Sequence, residues 1–218
     1  MPVVYFQNMD LHIKTIQELK ILASSRVFTQ FNISKISKIF EYLDLVGKLP
    51  TQAAISRQEL STDMKITWIP TYSKPCCIFL DADTGINIFL TDGDHVQSFW
   101  ATDTYVPENK VISNVALFGN ITCDVISQDE TQMVLLISDC LREIDFDDHE
   151  EYEKRYAFLV KHREFIECIR IGNLILRIQW CGNTETFDTL KTLSLPHSMG
   201  GIIAFEKDKI AYKFVSEE

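Results

Sequence analysis

The apolar spacing of this chain changes period near Ile66, and that change constrains the fold more than any other feature. Upstream, Leu11, Ile13, Ile16, Leu19, Ile21 and Leu22 form one apolar-rich stretch. Ile33, Ile36, Ile39, Phe40, Leu43 and Val46 form a second at helical spacing, closed by Gly47. Downstream the alternation falls to two, the period of a strand with one face turned inward. A helical front end over residues 1–48 and a β-rich domain over 49–218 are therefore expected. The class is α+β, with mainly antiparallel sheets.

The strand candidates are bounded by turn residues. Lys65–Tyr72 reads as a strand, and Cys76–Ala82 with Ile86–Thr91 as a hairpin around Asp83-Thr84-Gly85. Val111–Phe118 and Ile121–Ser127 read as two strands broken at Phe118-Gly119-Asn120, followed by Gln132–Leu141. The acidic run Asp145–Glu151 opens a charged helix to about Glu167, with Lys161, His162 and Arg163 suiting its C-terminal end. Cys168–Ile171, Leu174–Trp180, Gly201–Glu206 and Ile210–Val215 complete the strand set, and Ser56–Leu60 is a short helical candidate.

Charge narrows the function classes. The chain has 21 Lys and Arg against 31 Asp and Glu, a formal charge of -10. Such a field repels a phosphate backbone, which argues against broad nucleic-acid binding. The sparse Lys35, Lys38 and Arg57 also argue against a DNA-reading helix pair. No apolar run approaches the ~20 residues that span a bilayer, and the first ten residues lack a basic n-region. No membrane association and a cytoplasmic or nuclear location are expected. Cys76, Cys77, Cys123, Cys140, Cys168 and Cys181 form no C-x-x-C pair and most lie in apolar strand-like runs, so reduced, buried, inert thiols are expected. No metal site is expected among them. The phosphate-cradling G-x-x-x-x-G-K-[ST] and G-x-G-x-x-G motifs are both missing. Asp188, His197 and Ser198 offer the residue types of a hydrolytic triad without the G-x-S-x-G context.

One set of motifs is collinear with a known family. Leu49-Pro50-Thr51-Gln52-Ala53-Ala54-Ile55-Ser56 is followed by a strand and then Lys74, by Leu117-Phe118-Gly119-Asn120, and by a strand ending at Asp139. Glu153-Lys154-Arg155-Tyr156, Gly200-Gly201-Ile202-Ile203-Ala204-Phe205 and Lys213 come after these. In this order the pieces resemble the guanylyltransferase domain of mRNA capping enzymes, over residues 49–215. The resemblance implies mainly antiparallel β-sheets of nucleotidyltransferase type, guanylyltransferase or ATP-grasp-like. It also implies GTP with Mg2+ as ligands and Lys74 as the covalent GMP acceptor. Asn120, Asp139, Arg155, Gly201, Lys207 and Lys213 become the nucleotide-binding candidates.

The departures fall on the chemistry. Cys76 and Cys77 stand where the family carries Asp-Gly after its lysine, Asn120 stands for a Glu, and Gly200 stands for an acid. Magnesium is held through carboxylates and phosphate oxygens, so these losses remove its ligands. The expected function is a degenerate guanylyltransferase-like domain. It would bind a guanine nucleotide or an mRNA 5' cap, or serve as a scaffold with a protein partner in a capping or transcription complex. An active RNA guanylyltransferase and a ligand-free interaction subunit are the alternatives. Trp100 and Trp180 are candidate stacking surfaces for a methylated guanine, or simply strand and core residues.

Overall fold

The computed structural model describes residues 23–24, 39, 54–82, 85–92, 95–101, 103–108, 112–142, 151–207 and 212–216. Two sheets dominate. In chain order the strands are β1 (Ala23–Ser24), β2 (Ile55–Ser56), β3 (Lys65–Pro70), β4 (Lys74–Asp81), β5 (Gly85–Asp92), β6 (His95–Ala101) and β7 (Thr104–Tyr105). They continue with β8 (Val115–Val125), β9 (Thr131–Arg142), β10 (Arg170–Ile171), β11 (Leu174–Ile178), β12 (Gly182–Asn183), β13 (Met199–Phe205) and β14 (Tyr212–Ser216). Helices α1 (Tyr152–Lys161), α2 (Arg163–Cys168) and α3 (Phe187–Lys191) lie between them.

The larger sheet runs β1-β6-β5-β4-β8-β9-β11-β10-β7 and the smaller β12-β3-β13-β14-β2. Most pairings are antiparallel, while β9–β11 and β2–β14 are parallel. The central strands of the larger sheet are apolar on both faces because both are covered. On one face Cys76, Ile78, Leu80, Leu117, Ile121 and Ile137 meet Leu159 of α1 and Ile166 of α2. On the other, Cys77, Phe79, Phe89 and Phe118 meet Ile203, Phe205 and Tyr212 of the smaller sheet. The outer face of the smaller sheet packs Ile66, Trp68, Ile202 and Ala204 against Phe187 and Leu190 of α3.

Several sequence expectations change here. Ala23–Ser24, inside the expected helical front end, pairs instead with Trp100 and Ala101 and satisfies part of the open ladder of β6. Ile39 is helical, and the rest of the expected front end lies outside the described residues. Phe118-Gly119-Asn120 does not break the chain, because β8 runs through it. The glycine marks a bulge, where Phe118 faces Asp139 and Gly119 faces Ile137, leaving Ser138 as the extra residue. A side chain on Gly119 would drive into the Leu136 carbonyl, so close backbone approach requires glycine there. The charged helix is two helices, with His162 (φ -105°, ψ 16°) ending the first. The two-residue strands β7 and β12 and the five-residue helix α3 are too short to be read from the sequence, and in β6 His95, Gln97 and Ser98 blur the alternation.

Candidate functional site

The chain passes from the smaller sheet to the larger between Pro70 at the end of β3 and Lys74 at the start of β4. Three Cα–Cα steps of about 3.8 Å separate Thr71 from Lys74, so their Cα atoms lie within about 11 Å. Gly200 of β13 is pressed on this crossing: a Cβ there would lie 2.8 Å from Thr71 Cα and 3.0 Å from its nitrogen. Gly201 pairs with Ile69 across the ladder, and a Cβ there would meet nothing nearer than the Phe214 ring at 3.8 Å. Lys74 and Gly201 are thus drawn to one region by the topology.

Asn120 comes to the same region on a different face. Lys74 is opposite Ile121 and Pro75 opposite Asn120. Strand alternation therefore places Lys74 with Cys76 and Ile121, and Asn120 with Pro75 and Cys77 toward the smaller sheet. Asn120 is 2% exposed and hydrogen-bonds the Tyr212 hydroxyl, while its Oδ1 has no hydrogen-bond partner. Burial pushes the Tyr212 phenol well above its ordinary range.

Asp139 and Arg155 are brought together with each other. Arg155 Nε donates to Asp139 Oδ1 at 2.8 Å and Nη2 to Oδ2 at 2.9 Å. Cys140 N donates to the same Oδ1 at 2.8 Å, and both side chains are essentially unexposed. A lone charge at this depth would be very costly, so the pair is held as a unit that joins α1 to β9. Neither group presents its charge to a surface.

The two remaining lysines lie elsewhere. Lys213 is opposite Ala204, on the face of the smaller sheet turned away from the larger one, and its Nζ is 2.6 Å from Glu206 Oε1. Lys207 is exposed, with Nζ 3.3 Å from Glu151 Oε1, and its carbonyl accepts the Tyr152 amide at 2.8 Å.

The structure also holds polar groups that sequence reasoning missed. His197 Nδ1 lies 2.7 Å from Asp124 Oδ1, and Trp68 Nε1 donates to His197 Nε2 at 3.0 Å. An indole nitrogen can only donate, so Nε2 is unprotonated and Nδ1–H donates to Asp124. Arg177 Nη1 reaches the other Asp124 oxygen at 3.2 Å. Asp188 pairs with Arg57 through two hydrogen bonds of 3.0 and 2.8 Å, so the residues that suggested a triad are not assembled. Tyr152 donates to the Ser138 carbonyl at 2.8 Å, which leaves Cys181 Sγ, 3.1 Å away, to donate to the phenol oxygen. Trp68 and His197 are separated by 129 residues and His197 and Asp124 by 73, so no local spacing signals either contact.

The donor set does not suit Mg2+. Asp139 is locked to Arg155, Asp124 to His197 and Arg177, and the positions of Asn120 and Gly200 carry no charge. Among the described residues no group of three or more His, Cys, Asp or Glu side chains is placed to hold a metal ion. Of the cavities lined by described residues, one of about 430 Å³ includes Cys123, Gln132, Arg170 and Asn173, and another of about 60 Å³ includes Leu80, Gly85 and Ile112. None of the residues expected from the sequence lines either. Trp100 and Trp180 are partly exposed, at 37% and 43%. No helix among the described residues is long and apolar enough to cross a membrane. No family model and no curated protein matches the chain.

Proposed function

We propose that this chain is a guanylyltransferase-like module that has lost nucleotidyl transfer. It acts as a guanine-nucleotide- or cap-binding module, or as a scaffold, within an RNA-capping or transcription complex. One observation carries the reading: where the resemblance expects acids and a flexible Asp-Gly turn, the chain has buried neutral groups, close-packed glycine or a carboxylate already paired. Cys76 and Cys77 are core residues at 0% exposure, Asn120 is bonded to Tyr212, Gly200 has no room for a side chain, and Asp139 is taken by Arg155. Transfer needs a divalent cation against the developing phosphate charge, and this set offers it no carboxylate cluster. The partner protein is the natural source of whatever chemistry the complex performs.

The competing reading, Lys74 as a working GMP acceptor, draws on its place at the start of β4, just after the chain crosses between the sheets. Incubation with labelled GTP and Mg2+ separates the two. No covalent adduct is expected; an acid-labile adduct abolished by Lys74→Ala would overturn the proposal. Thermal shift with GTP, ATP and cap analogue, with and without Mg2+, then divides binding from scaffolding. Stabilisation by GTP or cap analogue without a Mg2+ requirement marks a binding module, and no shift with any of them marks a scaffold.

A further inference from the structure

Residues 192–198 join α3 to β13 over the outside of the molecule. Thr192, Leu193, Ser194, Pro196 and Ser198 are exposed, whereas Leu195 rests on the cluster beneath α3. The His197 side chain is 4% exposed and is held from both sheets, by Trp68 of β3 and Asp124 of β8. Two backbone bonds add to this: Val125 N donates to Pro196 O at 2.9 Å, and Thr71 N to Ser198 O at 2.9 Å. Asp124 ends a row on β8: Asn120, Thr122 and Asp124 alternate onto one face, each 3% exposed or less. A row of buried polar side chains on a central strand is costly unless something hydrogen-bonds it, and Asn120 Oδ1 has no hydrogen-bond partner.

We infer that residues 192–198 form a strap that opens as one piece, latched by His197, and uncovers the Asp124 end of this polar row. A surface segment fixed by His197, the half-buried Leu195, two backbone bonds and the Thr71 hydroxyl on the Ser198 carbonyl opens at lower free energy than the strands below it. Thr192, which caps α3, and Ser198, the last residue before β13, are its ends. The inference stands on these contacts and not on the nucleotide reading.

Hydrogen exchange on the full chain tests it. The Thr71 amide, in the crossing after β3, and the Val125 amide, at the end of β8, are far apart in sequence yet both bond to the strap, so they are expected to exchange together. Trp68→Phe removes the indole donor while keeping a large ring, and His197→Ala removes the latch itself. Each should speed exchange at Thr71 and Val125 by roughly tenfold or more, as loss of a buried hydrogen bond implies, with Phe79 and Leu117 unchanged. Unrelated rates at Thr71 and Val125 in the wild type would overturn the strap, as would unchanged rates in Trp68→Phe. If His197→Ala accelerates every amide alike, the Trp68→Phe result decides.

Discussion

Arg155 and Asp139 meet through two charge-assisted hydrogen bonds, 2.8 and 2.9 Å long, in a place neither side chain shares with solvent. Removing one partner strands the other. Asp139→Ala and Arg155→Ala should each destabilise the protein by about 3–5 kcal/mol, whereas the double change Asp139→Leu with Arg155→Met should cost far less. Urea unfolding of the three variants checks this; equal losses in single and double variants would contradict it.

Restoring an acid at residue 200 should not restore chemistry. A Cβ there already lies 2.8 Å from Thr71 Cα, so Gly200→Glu forces the crossing apart. A loss of about 1–3 kcal/mol is expected from such overpacking, together with no labelling by GTP. A variant as stable as the wild type would show that β13 has room the geometry denies it.

The thiols should separate by access. Cys168 is exposed and Cys123 half-buried, while Cys76, Cys77, Cys140 and Cys181 are buried. Burial pushes the Cys181 thiol up to about 12 and also holds Cys76 and Cys77 well above the ordinary thiol range. Thiol titration at pH 8 should modify Cys168 first and leave the four buried thiols until denaturant is added. Rapid native-state modification of Cys76 or Cys77 would count against their place in the core.

Stability should fall in alkali. The buried thiols Cys76, Cys77 and Cys181 and the phenols Tyr152 and Tyr212 all hold their protons above the ordinary values of 9.0 and 10.0. The unfolded chain releases these protons first, so their contribution is complete below pH 9 and declines as pH rises. Each group adds about 1.4 kcal/mol per pH unit to the loss once its unfolded form ionises. Urea midpoints from pH 8 to 11 should drop steeply; a flat profile would mean these groups are not buried as protonated species.

The sheets were legible because burial writes itself into period-two alternation. Lys65–Pro70, Lys74–Asp81, Gly85–Asp92 and Thr131–Arg142 fall within two residues of where their apolar spacing ends. Gly119 misled because glycine signals a turn and a bulge alike, and only the opposing Leu136 backbone distinguishes them. The candidate site was less legible. Asp139 and Arg155 advertise charge without saying that they satisfy each other, and alternation that puts Lys74 and Asn120 on opposite faces depends on a register known only from pairing. His197, Asp124 and Trp68 converge from three distant segments, so their partnership was invisible.

The placement of β3 governs the order in which this protein can be assembled during synthesis. Its ladder partners, Gly182–Asn183 and Met199–Phe205, emerge from the ribosome more than a hundred residues after it does. The larger sheet can form early from the β4-β5-β6 meander and the β8-β9 hairpin, joined where β8 pairs with β4, but the smaller one must wait with both edges of β3 bare. A nascent chain halted before β13 would therefore be a sticky half-product. Loss of the last twenty residues should harm folding far more than their small share of the length suggests.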